Sequence, residues 1–326
     1  MRDVSLTGIR SPVAAGTALD RFAAEVAEYI QRTPRQLPSK YFYDPLGSAL
    51  FEAICRLPWY RITRAESALL GRHAREILQP LPRPFSVAEL GCGSGEKLAL
   101  LLERGAAMCR RVELIDISGD ALMRARDRLA EVPAEEIRVH QVGYEEGLAR
   151  LAADRDEAPM LMLFLGSNIG NFDPPAAHSL LARIRQTLRP GDWLLLGGDL
   201  VKPEPTLLLA YDDPLEVTAA FNRNLLRRIN DELGGTFDLG AFAHRAVWNA
   251  SQSRVEMHLV SRRKQTVHID AARLDVEFDA GESIWTESSY KYQPEGLVAS
   301  GLAAGFTSAA QWIDPDARFA LTRFAV

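Results

Sequence analysis

Cysteine is scarce in this chain: three residues in 326, Cys55, Cys92 and Cys109. An odd count without regular spacing argues against a disulfide framework and offers no zinc-ligand pattern. The six histidines are scattered, with no H-E-x-x-H pair, so they are expected to be surface or packing residues and no metal is expected. No run of Lys and Arg exceeds three and the formal charge is −5, so nucleic acid is not an expected partner. The N-terminus lacks an apolar signal core, and no apolar run is long enough to cross a bilayer. A cytoplasmic, membrane-free protein is the expectation. Repeats and low-complexity tracts are also missing. With 47% hydrophobic and 25% charged residues, what is left is an ordinary globular protein, one large domain or two closely joined ones.

What is present is an alternation. Apolar residues at Leu19, Phe22, Ala23, Val26 and Ile30 have helical spacing. A loop rich in Pro and aromatics follows over 37–47, carrying Lys40-Tyr41-Phe42-Tyr43-Asp44. Short apolar runs at 85–90, 112–117, 160–165 and 193–196 read as strands, and 96–103, 120–130 and 175–188 read as the helices between them. Apolar strands alternating with helices predict a parallel sheet covered on both faces. After Lys202 the pattern changes. A helix is expected over 214–233, then strands with polar alternation over 246–260 and 265–278, suggesting an antiparallel region. Helix 294–304, strand 306–312, the turn Asp314-Pro315-Asp316 and strand 319–326 predict a terminal antiparallel hairpin on the parallel sheet.

The strongest local motif is Glu89-Leu90-Gly91-Cys92-Gly93-Ser94-Gly95-Glu96-Lys97. A strand ends, glycines occupy alternate positions, and a helix begins. Such glycines allow positive φ and close approach of backbone to a ligand, beside the free N–H groups of a helix start. A tight strand-to-helix turn without a ligand would use the same residues. Asp116 raises the functional reading: it closes the next strand, 25 residues after Gly91, where a carboxylate can accept both hydroxyls of a ribose. Its plain alternative is to cap the following helix. Together the two features point to a nucleoside at the carboxyl ends of a doubly wound sheet.

Five motifs taken in order are more specific. Lys40-Tyr41-Phe42-Tyr43-Asp44, Glu89-Leu90-Gly91-Cys92-Gly93, Leu163-Phe164-Leu165-Gly166-Ser167-Asn168-Ile169-Gly170-Asn171, Ala219-Ala220-Phe221-Asn222-Arg223-Asn224 and Thr286-Glu287-Ser288-Ser289-Tyr290-Lys291-Tyr292 resemble the L-histidine Nα-methyltransferases of ergothioneine biosynthesis. The resemblance runs from about residue 35 to the C-terminus. It implies an α/β fold, a class I S-adenosylmethionine-dependent methyltransferase domain with a Rossmann-like, mostly parallel sheet and a terminal antiparallel strand, plus a smaller α+β substrate-binding domain. The expected division is 63–200 with 292–326 for the first and 1–62 with 201–291 for the second. The implied reaction is trimethylation of histidine to hercynine, with S-adenosyl-L-methionine as methyl donor, by a monomer acting on a small molecule.

Carried over by motif, the resemblance puts Gly91, Gly93, Lys97 and Asp116 on the cofactor. Tyr60, Asn171 and Tyr211 would hold the amino acid, with Asn171 and Tyr211 on its amino and carboxylate groups. Glu287, Ser288 and Ser289 would read the ring, Glu287 and Ser289 through the imidazole, and Met257 would pack beside it. Where the family has an acidic residue for adenine, this chain has Gly143, so Gly143 and Tyr144 are expected to serve there instead. Methyl transfer to an amine is an in-line displacement that depends on positioning, with no covalent intermediate. Asn171 and Tyr43 are the residues nearest that step, Tyr43 or water as a proton relay. Aromatic Tyr43, Phe51 and Tyr60 suit a trimethylammonium product, although without the resemblance packing between domains is the preferred reading of them. Glu287 and Ser289 lie two apart and so share a strand face. Methylation of another amino acid, such as tryptophan or tyrosine, is the runner-up. A non-catalytic nucleoside-binding regulator is the distant alternative.

Overall fold

The computed structural model describes residues 17–105 and 109–326; the remainder of the expected N-terminal segment, 1–16, lies outside them. Strand β1 (Phe85–Leu90) is buried at every position, as its unbroken sequence pattern requires of a strand covered on both faces. It pairs in parallel with β2 (Cys109–Asp116) and β4 (Met160–Phe164). Outward from β4 lie β5 (Trp193–Asp199) and then the antiparallel β12 (Phe319–Ala325) and β11 (Ser308–Asp314). On the other side β2 carries β3 (Ala134–Gln141) at the edge. The seven strands run β11-β12-β5-β4-β1-β2-β3. The expected terminal hairpin is present, with β12 inserted between β5 and β11.

Helices cover both faces: α3 (Ile62–Leu78), α4 (Glu96–Gly105), α5 (Gly119–Leu129), α6 (Tyr144–Ala153), α7 (Pro174–Thr187) and α10 (Pro294–Ala303). Two starts are capped by side chains: Ser118 accepts from the Ala121 N–H and Asp173 from Ala176, each worth about 1 kcal/mol. No described helix is long and apolar enough to cross a membrane.

The remaining elements stand beside the carboxyl ends of this sheet. They are α1 (Ala18–Ile30), α2 (Pro45–Arg56), α8 (Glu204–Tyr211), α9 (Val217–Leu233), β6 (Phe242–Asn249), β7 (Arg254–Ser261), β8 (Gln265–Ile269), β9 (Leu274–Phe278) and β10 (Ser283–Tyr290). Strands β10-β7-β6 form a three-stranded antiparallel sheet and β8-β9 a separate ribbon. One helix expected over 214–233 begins only at Val217, because Asp213 turns the chain by accepting the N–H groups of Leu215, Val217 and Thr218. A continuous apolar core runs from Phe22 and Val26 through Phe221 and Phe242 to Leu321, so this region shares packing with one face of the large sheet.

Candidate active site

Two half-sites meet at the carboxyl ends of β1, β4 and β5. The first is the glycine loop. Gly91, Gly93 and Gly95 have φ of +72°, +51° and +70°, which L side chains rarely adopt. A Cβ at Gly91 would lie 2.9 Å from both the Asn168 amide nitrogen and the Tyr144 hydroxyl, whereas at Gly93 it would meet open space. Asp116 binds the loop from the second strand: its carboxylate accepts the Gly93 N–H at 3.0 Å and the Ser118 N–H at 2.9 Å. Capping of α5 falls to Ser118, so Asp116 is not the cap. Burial raises the Asp116 carboxyl, and the two backbone donors pull it back. Glu89 is buried with one carboxylate oxygen unpartnered, and burial pushes it up to about 8 against the pull of Lys97. An open positive-φ glycine, a carboxylate on the next strand and an orphaned acidic oxygen fit a nucleoside that also carries a cationic group.

Lys97 is placed differently from the simplest expectation. Its ammonium lies 2.5 Å from Glu66, a fully buried residue of α3 that also accepts the Gly166 N–H at 2.9 Å. Burial would lower Lys97, but the Glu66 charge and hydrogen bond outweigh it and hold it protonated. Lys97 thereby ties α4 to the turn after β4. Tyr144 packs on Phe164 and Phe172 with ring centroids 5.3 and 6.1 Å apart. Gly143 precedes α6 with φ −73°, and a Cβ there would meet nothing. The absent acidic side chain leaves space, not a filled substitute.

The second half-site is an adjoining pocket, lined by Tyr43, Tyr60, Asn171, Tyr211, Glu287 and Ser289 among others. One wall is aromatic. Tyr43 meets Phe51 edge-on at 5.7 Å, Phe51 meets Tyr60 at 6.3 Å and Tyr60 meets Tyr211 at 6.3 Å. Burial lifts the Tyr43 and Tyr60 phenols well above their ordinary value, so both stay protonated. Asn168 and Asn171 enter from a 3-10 turn that follows Ser167, which is held at φ +57°. A Cβ on Gly170 in that turn would stand 2.8 Å from the Tyr290 carbonyl oxygen, so the turn sits directly on β10.

The polar wall is β10. Opposite β7 its register breaks between Trp285 and Glu287, leaving Thr286 as the extra residue of a β-bulge. The Thr286 hydroxyl donates to Asn222 at 2.8 Å or to the Met257 carbonyl at 3.0 Å. Asn222 in turn donates to His244 Nδ1 at 2.9 Å, and His244 Nε2 donates to the Tyr211 carbonyl at 2.8 Å. The bulge turns Glu287 and Ser289 into the pocket beside Met257. Ser288, expected at the ring, does not join them: it pairs with Glu256 on the other face of the sheet. Burial pushes the Glu287 carboxyl up to about 7, with Lys291 drawing it down.

Sequence reasoning passed over Lys291, Asp199, Glu66 and Asn222. All four are buried and polar, and two, Asn222 and Lys291, sit inside quoted motifs. A lone charge in a sequence reads as solvated, and only the fold shows where it goes.

This architecture is that of a class I methyltransferase: strand order, glycine loop, second-strand aspartate and an adjoining pocket. The chain belongs to the histidine-specific, S-adenosylmethionine-dependent methyltransferase family, whose model matches residues 22–326. It is 41% identical to the histidine N-alpha-methyltransferase of Mycolicibacterium smegmatis, over 95% of this chain and 96% of that protein. To the histidine N-alpha-methyltransferase of Mycobacterium tuberculosis it is 40% identical, over 91% and 92%. To ergothioneine biosynthesis protein 1 of Neurospora crassa it is 28% identical, over 80% of this chain and 32% of that larger protein.

Proposed function

We propose that this protein methylates the α-amino group of L-histidine three times, using S-adenosyl-L-methionine, to give hercynine, the first step of ergothioneine biosynthesis. The mycobacterial and fungal relatives support the substrate and the pathway. The observation that carries the reading is the bulged strand that turns Glu287 and Ser289 into an aromatic-walled pocket adjoining the glycine loop. When bound, S-adenosylmethionine supplies an electrophilic methyl group. Gly91, Gly93 and Asp116 hold its nucleoside, with Lys97, Gly143 and Tyr144 around them. Asn171 and Tyr60 hold the amino acid so that the amine lone pair faces the methyl group, and Tyr211 lines the same pocket beside Ser289. Before each transfer the ammonium gives up a proton through Tyr43 or water, and the neutral amine then takes the methyl group while S-adenosylhomocysteine leaves. The aromatic rings suit the permanently charged trimethylammonium of the product. The division of labour follows the chain: 63–200 and 292–326 bind the methyl donor and lend Asn171 to the amino acid, and the described parts of 1–62 and 201–291 supply the rest of the histidine pocket.

The test is an assay of purified protein with S-adenosylmethionine and histidine, Nα-methylhistidine or Nα,Nα-dimethylhistidine, read by mass. All three should converge on the trimethylated product. No turnover of histidine, or a permanent stall at the monomethyl stage, sinks the reading.

A further inference from the structure

Behind the polar wall lies a buried lysine with every proton assigned. The Lys291 ammonium is 2.7 Å from the Tyr211 hydroxyl, 2.8 Å from Ser289 Oγ and 3.0 Å from Asp199 Oδ2. Lys291 is 3% exposed, Asp199 1% and Ser289 6%, so water does not compete. Asp199 is anchored independently: Lys202 pairs with its other oxygen at 2.6 Å, and its N–H donates to Ser167 Oγ at 2.9 Å. Lys291 is therefore held as a fixed cation whose three donors point at three known acceptors.

This sets the polarity of the pocket wall. Tyr211 and Ser289 each accept from Lys291, and their oxygens stand 2.8 Å apart, within hydrogen-bond reach of each other. Two hydroxyls hold two protons. Whichever group donates across the gap, one proton is used between them and one is left for the pocket. Lys291 takes a lone pair on each oxygen, and the shared hydrogen bond takes the second lone pair of the group that still holds a free proton, so that group can face the substrate only as a donor. Two residues along the same strand face, roughly 6.6 Å away by strand rise, Glu287 faces it as an acceptor.

We propose that Lys291 is a specificity-determining positioning residue: by engaging both Tyr211 and Ser289 it makes that pair the donor opposite the Glu287 acceptor, so the pocket selects a ring with one bare nitrogen and one N–H. A neutral imidazole meets both demands. Indole offers no bare nitrogen, and imidazolium offers two N–H groups and none bare. A site built this way discriminates because the wrong ring leaves a buried polar group unpaired. The proposal rests on the functional reading above, which assigns this pocket to the histidine ring.

Two measurements test it. The first uses the unaltered protein with S-adenosylhomocysteine and ring-15N-labelled histidine at pH about 6, below the ordinary imidazole value of about 6.5. The bound ring should give one protonated and one bare nitrogen resonance; two protonated nitrogens overturn the proposal. The second compares Lys291→Met with wild type. The KM for histidine should rise at least tenfold while kcat changes less than threefold, and the histidine-to-tryptophan efficiency ratio should fall at least tenfold. In a Tyr211→Phe/Ser289→Ala background the same substitution should move that ratio less than twofold, because the groups it acts through are gone. An unchanged ratio in the single variant, or an equally large change in the altered background, overturns the proposal. If Lys291→Met does not fold, the nitrogen resonances alone decide. Failure of the underlying reading is distinguishable, since wild type would then leave histidine unmethylated.

Discussion

Glu287 combines two demands that conflict. It must be ionised to accept strongly from a ring N–H, yet it sits where burial has pushed its carboxyl up to about 7. A carboxyl raised on folding contributes stability below its unfolded value, near 4.5, and loses it as pH rises through its folded value. The ligand-free protein should therefore weaken between pH 4.5 and about 7 on account of this group. Glu287→Gln removes the titration. It should stabilise the ligand-free protein at pH 8 relative to pH 5 by on the order of 3 kcal/mol, the equivalent of that shift. Urea unfolding of both proteins at the two pH values checks this, and parallel profiles would show that Glu287 is not desolvated. The acid in the strand was legible from the sequence; its titration was not, because nothing in ten residues of sequence reports what packs around a carboxylate.

Elements, more than side chains, give the pocket its shape. The 3-10 turn carrying Asn168 and Asn171 touches β10 through Gly170, where there is no room for a methyl group. Gly170→Ala must push the turn off the strand, an overpacking cost of about 1–3 kcal/mol. The expected outcome is a rise in histidine KM of about tenfold, with a smaller change in S-adenosylmethionine affinity measured by calorimetry. Unaltered kinetics would mean that the turn adjusts freely. Most elements of the sheet could be read from apolar runs, since strands covered on both faces announce themselves. Strand β3 could not: it is the sheet's edge, half exposed, and Ala134–Gln141 is mostly polar. The start of helix α2 fell inside the loop reading over 37–47, because it carries Pro45 and Gly47, and the rest of the helix was not read; Gly47 is required where a Cβ would collide with the Phe42 carbonyl. The glycine loop and Asp116 were legible because backbone conformation there demands glycine. Glu66 was not, since its partners, Lys97 and Gly166, lie on other elements.

At the scale of the molecule, the region around β6–β10 has no core of its own separate from the sheet. The apolar cluster that holds Phe242 and Leu259 also holds Leu195 and Leu321. Unfolding should therefore be a single cooperative event. Variants that retain only Trp193, on β5, or only Trp285, on β10, should report the same thermal midpoint by fluorescence, and that midpoint should match circular dichroism. Separate midpoints would mean two independently folding units. The bulge at Thr286 bears on another kind of question, that of transplantation. In a regular strand, residues 284, 286 and 288 would share the inward face, and Glu287 and Ser289 would point away. A graft of those two side chains onto a relative whose strand lacks the extra residue would display them on the outer surface. Moving histidine recognition to a new scaffold means carrying the kink in the backbone, with Thr286 and Asn222 to hold it, along with the side chains themselves.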